Sequence, residues 1–158
     1  MKNIFKGFGL IEILIATCII GLALAGLATL GSYALRLQSY LQNNLIATNL
    51  AIEAIEATKA VKAESWSAFS SLTFGAPYHP AKTGSPAKWT LAAGSETING
   101  FVRQIIISQV SRDANDDITT SGGTPDPGTR KITATVSWSD HGQNYHTDIE
   151  LYLTNWKP

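Results

Sequence analysis

The sequence predicts an α+β protein: a long N-terminal helix lying on a small antiparallel sheet of three to four strands. Three observations lead there. Ile13 through Leu35 contains neither a formal charge nor a proline. No proline or glycine follows between Ser32 and Ser65, so nothing in that stretch breaks a helix that has begun. Beyond residue 100, three stretches have strand patterns, two of them alternating apolar and polar residues with the period of half-buried strands.

The first half of the helix is apolar on every side. Its 23 uncharged residues from Ile13 to Leu35 span roughly 35 Å at the usual rise, enough to cross a bilayer. Lys2 and Lys6 precede the run, and Glu12 is the one carboxylate in its opening turns. A charge at such a depth costs about 3 kcal/mol on insertion scales, which argues that Glu12 has a task. Gly21, Gly26 and Gly31 recur at intervals of five. They read as weak points, as sites of close helix approach, or as ordinary small residues of a membrane helix.

After Arg36 the pattern becomes one-sided. Leu37, Leu41, Leu45, Ile52 and Ile55 recur at three- and four-residue spacings or their sums, while Gln38, Gln42, Asn43, Asn49, Glu53 and Glu56 fall largely elsewhere. The expectation is one nearly continuous helix from about Phe8 to Trp66, about 88 Å long, whose amphipathic half (36–66) covers the sheet. Glu56 and Lys59 form an i,i+3 pair worth a few tenths of a kcal/mol.

From Ser67 to Ser95 the chain is rich in Ser, Ala, Gly and Pro, with Pro77, Pro80 and Pro86 as punctuation. It reads as a surface connection with at most a short strand near Lys88 to Leu91, and with His79 exposed. The three strand patterns are Phe101 to Val110, Lys131 to Trp138 and Tyr145 to Leu153. Ser139 to Asn144 has the composition of a turn, so the last two pair as an antiparallel hairpin. An antiparallel sheet with one apolar face needs a cover, and residues 36–66 supply it, forming one head domain with 67–158.

Lys6-Gly7-Phe8-Gly9-Leu10-Ile11-Glu12-Ile13-Leu14-Ile15-Ala16 resembles the class III signal of type IV pilins and pseudopilins: a short basic leader ending in Gly, then Phe, then Glu four residues on, then an apolar helix. The resemblance covers about the first fifth of the chain. It implies that residues 1–7 are a leader, removed by a membrane-embedded prepilin peptidase that cuts between Gly7 and Phe8 and N-methylates Phe8. It further implies that 8–35 serves first as a membrane anchor and then as the packed centre of a filament, with Glu12 in assembly. The partners implied are that peptidase/methyltransferase, other pilin or pseudopilin subunits, an inner-membrane assembly platform, and lipid before assembly.

Leu50 to Ala57 with Trp66, Lys131 to Trp138, and Tyr152 to Trp156 are similar to segments of minor pilin-like proteins, which implies a minor subunit of a pilus or secretion pseudopilus. The chain departs from many of that family in two ways. It has no proline in the apolar helix, where Gly21, Gly26 or Gly31 would have to substitute, and its single cysteine, Cys18, rules out an intramolecular disulfide.

Three plainer readings stay open for the same N-terminus. A secretory signal would end near Ala23-Leu24-Ala25, a lipoprotein box would use Ile15-Ala16-Thr17-Cys18, and an uncleaved anchor would need neither. Each makes the chain a membrane-anchored or secreted binding module. Basic residues before the apolar run place the N-terminus in the cytoplasm and the head outside.

Among 158 residues, 12 basic and 12 acidic side chains balance, which gives no electrostatic basis for binding nucleic acid. Losing Lys2 and Lys6 would leave a net charge of −2 before the new amine is counted. No nucleophile elbow, phosphate loop or zinc motif is present, so no catalytic residue and no cofactor is assigned. Glu53 and Glu56 have the look of an acid–base pair but read as a solvated helix face. Asp113, Asn115, Asp116 and Asp117, with Asp126, offer oxygens for calcium but lack the EF-hand spacing, and read as a turn. His141 and His146 flank the hairpin turn, where two ligands make a poor metal site.

Overall fold

The computed structural model describes residues 9–156. The leader, the Gly7–Phe8 bond and the expected helix start at Phe8 lie outside the described residues. The chain divides into two compact units, Met1–Leu41 and Gln42–Pro158.

The first unit is helical from Leu10, where helix α1 (Leu10–Glu64) begins. Its large apolar side chains as far as Leu35, among them Ile11, Leu14, Ile15, Ile19, Leu22, Leu27 and Leu30, are exposed, on every side of the helix. An all-round apolar helix is stable only where its surroundings are apolar too. This is the one helix among the described residues long and apolar enough to cross a membrane, consistent with a single-pass membrane protein.

In the second unit α1 runs on to Glu64. Ser65, in an extended conformation, caps a short helix α2 (Trp66–Ser70) by accepting the Ala68 N–H at 3.2 Å. The expected helix through Trp66 is therefore interrupted at Ser65, because a serine hydroxyl offers an N-cap. Seven strands follow: β1 (Pro77–Thr83), β2 (Lys88–Ala93), β3 (Glu96–Ile98), β4 (Phe101–Arg112), β5 (Ile118–Thr119), β6 (Thr124–Asp140) and β7 (Gln143–Thr154). All pair antiparallel in the order β2-β1-β4-β6-β7, with β3 and β5 also pairing with β4.

The α+β class holds, with more strands than expected. The three expected strands are β4, β6 and β7, the first longer at its C-terminal end and the other two at both ends. The segment read as a surface connection holds the short strand expected near Lys88 to Leu91, as β2, and in addition α2 and β1, the latter pairing with β2 as a hairpin. Two-residue turns close two of the hairpins. Asn99 and Gly100 (φ 50° and 87°) join β3 to β4, and His141 and Gly142 (φ 49° and 76°) join β6 to β7. Positive φ at both central residues matches the twist of the flanking strands.

The sheet's inner face carries Phe101, Ile105 and Ile107 from β4, Ile132, Ala134, Val136 and Trp138 from β6, and Tyr78 from β1. Phe69 of α2 closes the core beside them. The helix meets this face with Ala47, Ala51, Ala54, Ile55 and Thr58. This corrects the expected packing face. Ile55 is buried, but Leu37, Leu41, Leu45 and Ile52 are exposed, Leu45 at 62%. The helix covers the sheet with an alanine stripe, and the large side chains fully buried between them, Ile105, Ile107, Ile132 and Val136, come from the strands. Thr58, the one polar member, donates its hydroxyl to Ala54 O at 2.7 Å.

Candidate functional site

In the N-terminal unit the residues of interest sit on the first turn of α1. The carbonyl of Gly9 accepts the N–H groups of Glu12 (3.0 Å) and Ile13 (3.3 Å), and the Gly9 N–H donates to Glu12 Oε2 at 3.0 Å. Glu12 thus supplies the backward half of a capping box, satisfying a donor that a helix start leaves open. Sequence reasoning gave Glu12 only a role between chains. The spacing of Glu12 three residues after Gly9 was the available signal for this one. Its carboxylate also sits where the partial positive charge of the helix start favours an anion.

Gly21, Gly26 and Gly31 leave the helix unbroken, and a Cβ added at any of them would meet nothing within 4 Å. Five residues turn the helix by about 140° beyond a full turn, so the three do not share a face. Cys18 is exposed on the same helix.

In the head unit the strongest polar constellation is one that the sequence reading passed over. Arg103 lies on β4 with its side chain only 4% exposed. Its Nε and Nη2 donate to Glu96 Oε1 at 2.8 and 2.6 Å, and Nη1 donates to Leu50 O (3.0 Å) and Glu53 Oε2 (3.1 Å). One guanidinium therefore ties α1, β3 and β4 together, with both carboxylates reaching it from more exposed positions. Glu53 and Glu56 do not act as a pair, since Glu56 bonds Lys59 at 2.7 Å instead. At the far edge, the Thr147 hydroxyl donates to Asn44 Oδ1 at 2.8 Å, fixing β7 to the helix.

The acidic loop is organised by its own backbone. Asp113 Oδ1 accepts the N–H groups of Asn115 (2.8 Å) and Asp117 (3.0 Å), and Arg112 donates to Asp116 O at 2.7 Å. Asp126 lies where β6 leaves register with β4 between Gln109 and Val110. It accepts from Arg112 Nε and Gly128 N, both at 2.7 Å. Hydrogen bonds from Thr129 first, then Arg112 and Gly128, hold its carboxyl down to about 2. Arg130 pins the same bulge by donating to Pro127 O (3.0 Å) and Thr129 O (2.9 Å), with Phe74 and Trp66 against its guanidinium. Among the described residues no three of His, Cys, Asp and Glu converge as metal ligands would.

His141 and His146 do not meet across their turn. His141 Nδ1 is 2.8 Å from Asp140, and His146 Nε2 is 3.7 Å from Asp148. His79 is half-buried, its Nδ1 3.0 Å from Gly94 O, and so is not the exposed residue expected.

A cavity of about 640 Å³ opens between the end of α1 with α2 and the β1–β2 hairpin. Val61, Ala68 and Leu72 form one wall and Trp89 and Leu91 the other, while Glu64 and Lys88, bonded to each other, stand at its rim. A long N-terminal helix packed on an antiparallel sheet is compatible with a pilin-like fold. Comparison with protein-family models, curated proteins and solved structures gives no match for this chain.

Proposed function

We propose that the chain is a structural subunit, of the minor class, of a type IV pilus or a related pseudopilus. It is cleaved after Gly7, methylated at Phe8 and assembled through its N-terminal helix. The observation that carries this reading is a membrane-length apolar helix opening on Glu12, four residues after a Gly7-Phe8 pair. Before assembly the helix lies in lipid with the N-terminus in the cytoplasm and the head outside. In the filament its exposed apolar faces meet those of other subunits. The chain acts as a substrate of the peptidase and as a building block, and no side chain is assigned a catalytic part.

Glu12 supplies the assembly logic. Its carboxylate already engages the N–H of Gly9, one residue from Phe8. Cleavage creates an amine at Phe8, and the Glu12 carboxylate of one subunit then pairs with that amine on a neighbour. A lone charge in an apolar medium is costly while a paired one is tolerated and can fix register, so subunits are drawn from bilayer to filament.

The test is the intact mass of protein isolated from its native membrane. Loss of residues 1–7 plus one methyl group is expected. A chain still starting at Met1, one cut after Ala25, or one carrying lipid on Cys18 overturns the reading. In parallel, Gly7→Val blocks cleavage, and Glu12→Val leaves cleavage intact but impairs filament entry. Normal incorporation of Glu12→Val removes the pairing step while leaving the cleavage site standing.

A further inference from the structure

We propose that the free edge of β2 and the cavity beside it form a docking site for an extended peptide of a partner protein. The peptide adds as a strand and places one bulky apolar side chain in the cavity. Among the described residues β2 pairs with β1 alone. Its other edge therefore presents backbone N–H and C=O groups with no ladder partner, a template for one more strand. A polypeptide can replace the solvent on those groups along the whole strand, which a lipid chain or a small apolar molecule cannot do.

The cavity lies where such a strand would need it. Trp89 and Leu91 pair with Lys82 and Pro80, and the same register sets Tyr78 opposite the buried Ile105. Trp89 and Leu91 thus belong to the inner face of the sheet, where Val61, Ala68 and Leu72 face them across the opening. Alternate side chains of an added strand point to that same face, and about 640 Å³ lies within the range of built ligand pockets.

Charge narrows the partner further. Lys82 Nζ sits 4.4 Å from the centre of the Trp89 ring, and Lys88 stands at the rim, where Glu64 is the one carboxylate. Lys88 is already paired with Glu64, so Lys82 is the cation left beside the opening, and it favours a peptide with a carboxylate near its apolar anchor. The site therefore takes an extended segment with an aromatic or large aliphatic residue and an acidic residue on one face.

The experiment uses the full chain in detergent micelles and a fluorescent probe peptide, Thr-Thr-Trp-Thr-Glu-Thr-Thr, together with its reversed sequence. Saturable binding by at least one is expected, with slowed amide exchange along Lys88 to Ala93. Replacing the peptide's Trp by Ala, or methylating its alternate backbone nitrogens, is expected to weaken binding about tenfold or more. Lys82→Glu is expected to weaken it severalfold and to flatten its salt dependence. Because the peptide changes leave the protein intact, they decide the matter even where Trp89→Ala fails to fold. Absence of saturable binding at roughly 1 mM overturns the proposal, as does binding indifferent to backbone methylation. Protection of the β2 amides that rises with protein concentration alone would assign the edge to a second copy and overturn it as well.

Discussion

Arg103 on β4 and Glu53 on α1, fifty residues apart, meet at 3.1 Å on the boundary between the sheet and its covering helix. The two ends of this bond are unequal. The arginine side chain is 4% exposed, whereas that of Glu53 is 48% exposed. Removing the acid leaves Arg103 still bonded to Glu96 and Leu50 O, and Glu53→Gln is expected to cost about 1 kcal/mol or less. Arg103→Ala empties a buried site and unties three elements at once, for about 3 kcal/mol. Thermal unfolding of the two variants in one detergent checks the order, and equal losses would contradict it.

The alanine stripe gives a second contrast. Ala51 and Ala54 are fully buried against the sheet, while Leu45 points outward on the same helix. Ala51→Leu is expected to destabilise the head by about 1–3 kcal/mol through overpacking. Leu45→Ala should shift it by no more than about 0.5 kcal/mol. The reverse ranking would mean that the leucine face, as first expected from the sequence, is the one that packs.

Two adjacent glycines separate conformational strain from collision. Gly122 and Gly123 both have positive φ, but a Cβ on Gly123 would lie 2.5 Å from Arg112 O and one on Gly122 would meet nothing. Gly123→Ala is expected to cost about 1 kcal/mol or more beyond Gly122→Ala. Denaturant midpoints of the two variants measure the difference.

Asp126 predicts the acid response of the head. Its carboxyl is held at about 2, below the ordinary 3.8. The folded state thus gives up protons more readily than the unfolded chain. The stability this carries is present in full above about pH 5 and is lost as pH falls through 4 towards 2. Asp126→Asn should lower the melting temperature at pH 7 and shrink the further drop between pH 5 and pH 2. An unchanged acid slope in the variant would show that other carboxylates set it.

The parts legible in the sequence were those with regular periodicity. Ile132, Ala134, Val136 and Trp138 alternate along β6, and all four are buried. The uncharged run to Leu35 marked the apolar half of α1 equally well. The packing face was misjudged because periodicity rewards large residues, whereas the side of the helix that is buried carries Ala47, Ala51 and Ala54. β2 falls where a short strand was expected, but its partner β1 was missed because Pro77 and Pro80 look like breakers. Yet β1 pairs with β4 only at Pro77 and Tyr78, so Pro80 lies where the strand has one neighbour and no second ladder to disrupt.

Arg103 was within reach of the sequence. It shares parity with Phe101, Ile105 and Ile107, which placed it on the inner face before any geometry was known. The turn at Asn99-Gly100 was equally readable as a strong hairpin signal. What no pattern supplied was the pairing of Arg112 with Asp126 and of Thr147 with Asn44. These depend on the register break after Gln109 and on bonds spanning 103 residues.

The two-residue turn at His141-Gly142 also bears on how the head is reached from the unfolded chain. It lets β6 and β7 zip together through neighbours close in sequence, a pairing whose loop-closure entropy is small. Docking of α1 needs Arg103 to find Leu50, 53 residues away. That contact closes a far longer loop than the hairpin turn does, so joining helix to sheet carries the larger closure entropy.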